Sequence, residues 1–153
     1  MINAPNFTAG EFLPQETFKE YGALGMRYIN PKIPLIIQWL RNKYGKPIII
    51  NDWVSGGKLD GRCLRILGDS AYKPYSDHNF GNAVDFNVKG VEVAQVQNDI
   101  INTFYTDLIA LGVTGIEWQT PTWIHIAVSD LSLWDNIPVK NGIKLIPVPQ
   151  KNV

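Results

Sequence analysis

A single cysteine, Cys63, is all the chain contains, which excludes an internal disulfide and any thiolate-rich zinc site. A lone thiol of this kind is ordinarily inert, and it leaves the redox compartment open. Histidine is almost as scarce, with only His78 and His125. Net charge is absent too: 14 basic residues balance 14 acidic ones, so no broad field draws the chain to nucleic-acid phosphates or an anionic membrane surface. No apolar stretch approaches the ~20 residues of a spanning helix. The segment Met1 to Gly10 lacks a basic patch followed by an apolar run, so no secretory signal is expected and export would need another route. What is present is an ordinary globular composition, 45% hydrophobic and 11% aromatic over 153 residues. That is enough to fold alone as one domain spanning residues 1–153 around a single core.

Periodicity places the elements. Thr8 followed by Glu11 has the form of a capping box and opens a short helical lead-in, expected at the surface, which Pro14 interrupts and Thr17 to Tyr21 resumes. Asn30 and Pro31 read as an N-cap and first helical residue. Ile33, Ile36, Ile37 and Leu40 then share one face until Gly45 ends the helix, and Pro34 is tolerated in its first turn. The β-branched run Ile48-Ile49-Ile50 suits a buried strand. From Val54 to Tyr75 no period survives, and a loop of that length is usually functional or disordered. In Ala83 to Val88, Val84, Phe86 and Val88 alternate with Ala83, Asp85 and Asn87, so Asp85 should face away from the core.

Val93 to Leu111 predicts one continuous helix, with Val96, Ile100, Ile101, Phe104 and Leu108 at helical spacing and Gly112 as its stop. Thr114 to Trp118 and Trp123 to Val128 read as strands joined through Gln119-Thr120-Pro121-Thr122. In the second, Ile124, Ile126 and Val128 share one face, which aims His125 to the other beside Trp123 and Ala127. Asn141-Gly142 is a strong two-residue hairpin signal. The segment Leu145 to Val153, with Pro147 and Pro149, reads as a frayed tail or an arm toward a partner.

Both histidines therefore fall where a turn or a strand aims them off the core. His78 and Asp85 are seven residues apart in a loop that becomes a strand, and two ligands separated by a turn can converge on one ion. A catalytic zinc site needs three nitrogen or oxygen ligands and an open position for water. His78, Asp85 and His125 would supply that set. A Ser76, His78, Asp85 triad is the competing use of the same histidine.

These residues carry a resemblance. Ser76, His78, Gly81, Ala83 and Asp85 match every fixed position of the Ser-x-His-x-x-Gly-x-Ala-x-Asp signature of zinc peptidases of the D-Ala-D-Ala carboxypeptidase type, peptidase family M15. Trp123-Ile124-His125-Ile126 looks like the second motif of that family. The chain resembles phage-encoded members in particular, from Lys43 to Pro47 through Asn51-Asp52-Trp53 and Gly56-Gly57 to the His125 strand. The resemblance implies a small α+β Hedgehog/DD-peptidase-like fold, an antiparallel sheet with flanking helices. It also implies Zn2+ held by His78, Asp85 and His125, Arg65 steadying the substrate carbonyl or carboxylate, and Ser76 supporting the site.

The implied activity is hydrolysis of peptidoglycan stem peptides, as a carboxypeptidase or endolysin-type endopeptidase, with the bond left open: D-Ala-D-Ala, L-Ala-D-Glu or a cross-bridge. The implied locations are a phage virion or tail assembly, or the host wall and periplasm. Two departures stand out. Many relatives place an acidic base three residues before the last histidine, where this chain has Thr122, and phage relatives often carry an acid where it has Ala127. Glu117, on an alternating strand near the same sheet end, is the remaining candidate base. The alternative is a weak or inactive wall-binding or virion module. Beside Arg65, the charges of Lys58 and Arg62 read as a solvated basic stretch, and Trp53, Trp118 and Trp123 read as core before groove.

Overall fold

In the computed structural model, which describes residues 3–148, five α-helices pack against an open six-stranded sheet. The α+β expectation holds. The helices are α1 (Ala9–Phe12), α2 (Gln15–Tyr21), α3 (Lys32–Tyr44), α4 (Val93–Asn102) and α5 (Tyr105–Leu111). The strands are β1 (Ile48–Ile49), β2 (Ala83–Val88), β3 (Gly115–Trp118), β4 (Ile124–Ala127), β5 (Val139–Lys140) and β6 (Ile143–Pro147), ordered β1-β2-β4-β3-β6-β5. All neighbours are antiparallel except β3 and β6, which run parallel.

One face of the sheet is apolar. Val84 and Phe86 of β2, Ile116 of β3 and Ile124 and Ile126 of β4 are fully buried with Ile33, Ile36, Ile37 and Leu40 of α3 and Ile100, Ile101 and Leu108 of the helices that follow. Burying each such side chain contributes about 1.5–3 kcal/mol, so this layer dominates the stability of the fold. Asn30 caps α3 by accepting the Lys32 amide at 3.1 Å on its side-chain oxygen, and Gly45 ends the helix with a left-handed φ of 61°. Asn141 and Gly142, at φ 51° and 83°, close the β5–β6 hairpin in the conformation that pair favours. Among the described residues no helix is long and apolar enough to cross a membrane.

Three expectations need correction. The Thr8–Glu11 capping box forms, but α1 is not a surface lead-in: Phe12 and Leu13 are fully buried, and Asn51 of the interior donates its side-chain amide to the Leu13 carbonyl at 3.0 Å. The continuous helix from Val93 to Leu111 breaks between Asn102 and Tyr105. Its apolar residues recur every four positions at Val96, Ile100, Phe104 and Leu108, a spacing that drifts about 40° per step around a straight helix. The break re-aims Phe104 so that its ring meets Trp39 and Tyr44 edge-on at 5.3 and 5.8 Å. Finally, Leu145 to Pro147 belong to β6, paired with β3, rather than to a tail; residues 149–153 of that segment lie outside the described residues.

Gly81, where the turn after His78 enters β2, has φ +67°, and a Cβ there would lie 2.0 Å from the Tyr28 carbonyl oxygen. Both a left-handed backbone and a backbone clash would then have to be relieved. Gly81→Ala is expected to destabilise the fold by at least about 2 kcal/mol, read as a lower midpoint in chemical unfolding; an unchanged midpoint would show that the turn can shift at little cost.

Candidate metal centre

The sheet register builds the site. Asp85 of β2 is the direct cross-strand partner of His125 in β4, and opposed residues present their side chains on one face about 5 Å apart. The β3–β4 pairing runs Gly115 to Ala127 and Ile116 to Ile126; carried one residue further, it sets Glu117 opposite His125. Asp85, His125 and Glu117 thus form one row across three strands, on the face opposite the fully buried Val84, Ile126 and Ile116. His78 arrives from outside the sheet, in the single 3-10 turn Asp77–Phe80 that leads into β2.

Three donor atoms meet. Asp85 Oδ1 lies 3.2 Å from His78 Nε2 and 2.8 Å from His125 Nδ1, and ligand atoms from the three residues all fall within 4.8 Å of one another. His78 Nδ1 lies 2.8 Å from the Cys63 carbonyl. A carbonyl can only accept, so Nδ1 carries the hydrogen and Nε2 is the nitrogen that faces Asp85: it donates to the carboxylate when the ring is charged and offers its lone pair to a metal when the ring is neutral. An outer partner of this kind is what orients a metal-ligating histidine.

The spacing also fits a metal. Two bonds of about 2.0–2.2 Å meeting near the tetrahedral angle separate their donors by about 3.3 Å. The triad His78, Asp85, His125 is therefore a set that can hold a metal ion. The serine alternative fails on the same distances: both nitrogens of His78 are engaged, at Cys63 and Asp85, leaving none for the Ser76 hydroxyl.

Electrostatics reinforce the cluster. Burial alone would raise the Asp85 carboxyl, but the charge and hydrogen bonds of His78 and His125 outweigh it and hold the group well below the usual carboxylate range. Burial would likewise lower His125; its hydrogen bond and charge interaction with Asp85, then the charges of Glu117 and Asp77, raise it above an ordinary imidazole. A carboxylate depressed in the fold contributes stability present above its unfolded pKa of about 3.9 and lost on acidification. A histidine raised in the fold contributes stability present below its unfolded pKa of about 6.5 and lost as pH rises through the folded value.

Metal-free protein is therefore expected to be most heat-stable between about pH 4 and 6.5. Added zinc should stabilise it increasingly above that window, because ligation requires neutral histidine. Thermal melts across pH with chelator or with zinc check this, and zinc stabilisation that does not grow with pH would contradict it.

Arg65 is half committed. Its Nε donates to the Gly61 carbonyl at 3.1 Å, Nη1 to the Ala71 carbonyl at 3.2 Å, and Nη2 reaches Asp85 Oδ2 at 3.5 Å. It positions Asp85 first, and two guanidinium hydrogens remain without a partner beside the cleft that Arg65 lines. Ser76 opens the turn before His78 and lines the same cleft.

Arg62, expected in a solvated stretch, is instead wired into the sheet edge. It donates to the Ile50 carbonyl at 3.2 Å and to Asn87 Oδ1 at 2.8 Å, and its own carbonyl accepts the Asp85 amide at 2.6 Å. Burial lowers its guanidinium from the ordinary value, against the charges of Asp85 and Asp52. The long loop is thus neither disordered nor free: it delivers the Cys63 carbonyl and braces β2. Cys63 itself is fully buried, and burial followed by the Asp85 charge pushes its thiol far up, so it is inert.

The cleft above the triad measures about 890 Å³, within the range of ligand sites. Glu117, Thr122 and Trp123 line it, with Trp134 and Leu131 from the strap after β4. Lys144 Nζ anchors that strap by donating to the Leu131 and Trp134 carbonyls. Trp123 is thus a groove residue, whereas Trp118 packs partly on the core and Trp53 donates its indole N–H to Leu13 at 3.0 Å.

Sequence reasoning passed over Asp77, Trp134 and the Cys63 carbonyl. Only Asp77 had a signal, its place immediately before His78. Ala127 pairs with Ala83 and Gly115, and a Cβ on Gly115 would meet Leu131 Cδ1 at 2.8 Å and Ile146 Cδ1 at 2.9 Å. Apolar side chains occupy the space beside that row. Comparison with protein-family models, curated proteins and solved structures gives no match.

Proposed function

We propose that this chain is a zinc-dependent peptidase acting on the peptide part of bacterial cell wall. The observation that carries the reading is the convergence of His78 Nε2, Asp85 Oδ1 and His125 Nδ1 at an open cleft, with Glu117 in the same cross-strand row. Two imidazole nitrogens and one carboxylate oxygen are a catalytic rather than a structural zinc set. When bound, zinc supplies the Lewis acidity that makes water a nucleophile near neutral pH and polarises a carbonyl.

The chain's own residues do the remainder. Glu117 accepts the proton of the attacking water and returns it to the leaving nitrogen. Arg65 holds Asp85 in register and offers its remaining donors to a substrate carbonyl or carboxylate. Trp123, Trp134 and Leu131 shield the reacting groups from bulk water on the cleft walls. The choice of peptidoglycan stem peptide, and of a phage setting, rests on the likeness of Ser76 to Asp85 and of Trp123 to Ile126 to the phage-encoded peptidases.

The test is release of peptides from purified peptidoglycan together with metal content. The expected result is about one zinc per chain, as a mononuclear site requires, and peptide release that a chelator abolishes and zinc restores. Zinc binding with no release would overturn the peptidase in favour of a wall-binding or virion module, the reading that Thr122 and Ala127 favour.

A further inference from the structure

Beside the candidate metal cleft lies a second one of about 820 Å³, and the two share Arg65, Pro74 and Tyr75. Its character differs. Around it stand the rings of Tyr21, Tyr28, Tyr75 and Phe80, exposed by 42%, 42%, 93% and 63%. Four large rings left in water at one opening are more than scattered exposure accounts for, and such patches mark binding sites. Tyr75 is also held at φ 65°, a backbone state costly for a bulky residue, where the two clefts join.

Two carboxylates stand at this opening. Glu16 and Glu20 both line it, and as residues four apart on α2 they share one helix face, where like charges repel. The ion pairs among the described residues all converge on Asp85, so neither glutamate is neutralised in one. The only basic residue in the lining, Arg65, is turned to Gly61, Ala71 and Asp85. One of these rings already holds a cation of the chain, the Arg27 guanidinium carbon lying 5.4 Å from the centroid of Tyr28, which leaves Tyr21, Tyr75 and Phe80. Carboxylates and ring faces together suit one ligand chemistry, an ammonium group.

We propose that this second cleft is a subsite for a primary ammonium carried by the peptide substrate, so that a cationic side chain is read here while the bond to be cut lies at His78, Asp85 and His125. The proposal rests on the peptidase reading and narrows its substrate to peptides bearing a diamino-acid residue. Arg65, Pro74 and Tyr75 are common to both clefts, so the two openings adjoin across that wall.

The probes are a stem tetrapeptide containing lysine and the same peptide acetylated on the lysine Nε. Affinity is measured by calorimetry on the whole chain, once with zinc and once with chelator so that no hydrolysis intervenes. Acetylation is expected to weaken binding about fivefold or more, the scale of an exposed cation–π contact reinforced by charge. The double variant Glu16→Gln/Glu20→Gln should lose this preference while keeping its affinity for the acetylated peptide. Equal affinity for the two peptides, a preference that survives in the double variant, or no binding of either would overturn the subsite. Peptide release from peptidoglycan, assayed alongside, separates the two ideas. Release without amine preference removes the subsite alone, and an amine preference that the double variant loses, without release, keeps the subsite and removes the peptidase.

Discussion

Replacing Glu117 with glutamine is expected to lower peptide release by about 10²- to 10⁴-fold, the contribution of one positioned general base, while the variant still holds about one zinc per chain. The expectation follows from the row across β2, β4 and β3. Glu117 sits one register step beyond the paired Ile116 and Ile126, opposite His125, and its charge is one of those that raise His125. It is close enough to matter electrostatically, yet the three converging donor atoms come from other residues. Glutamine keeps the shape and removes the basic oxygen, so metal affinity and proton transfer should separate. Metal content and rate measured on the same preparation decide it. If the rate is unchanged, the base is not Glu117, and the role passes to Asp77, which lines the same cleft and also acts on His125. If zinc and rate fall together, Glu117 is holding the site rather than moving a proton.

The parts of this arrangement that were legible in the sequence are those set by local period. Val84, Phe86 and Val88 alternate against Asp85 and Asn87, and the strand forms over the range that alternation marks, with Asp85 off the core. The same argument turns His125 to the face opposite Ile124 and Ile126, and Asn141-Gly142 announces its hairpin because both residues accept the left-handed conformation the turn requires. What stayed hidden depends on long-range partners. The parallel pairing of β3 with β6 joins segments with no shared local signal. At the break before Tyr105, the Phe104 ring meets Trp39 and Tyr44, which sit on another helix. Arg62 looks solvated until Ile50, Asn87 and Asp85 surround it. The candidate ligands were readable because spacing and strand phase placed each one; the Cys63 carbonyl was not, because every residue carries such a group and only the fold selects this one.

Asp85→Asn is expected to reduce zinc affinity by at least about a hundredfold and to abolish measurable release at limiting zinc. Loss of an outer partner alone costs about 10- to 100-fold in metal affinity, and Asp85 is more than that: its Oδ1 is the atom toward which both imidazoles point, at 3.2 and 2.8 Å. Asparagine preserves volume and a carbonyl oxygen but carries no charge to offset a dication. It also removes the anion that raises His125 and the partner of Arg65 at 3.5 Å. The metal-free variant should therefore show a smaller acid-side fall in stability below about pH 4, since the Asp85 carboxylate is no longer there to protonate, while Asp130, lowered by its hydrogen bonds to Ser132, keeps its share. Chelator competition gives the affinity and melts across pH give the stability. Zinc bound as tightly as in the parent chain would mean that His78 and His125 hold it with some other donor, and the centre built on Asp85 would have to be abandoned. An acid limb that survives undiminished in the variant would move the pH dependence to other carboxylates while leaving the ligand assignment to stand on the affinity alone.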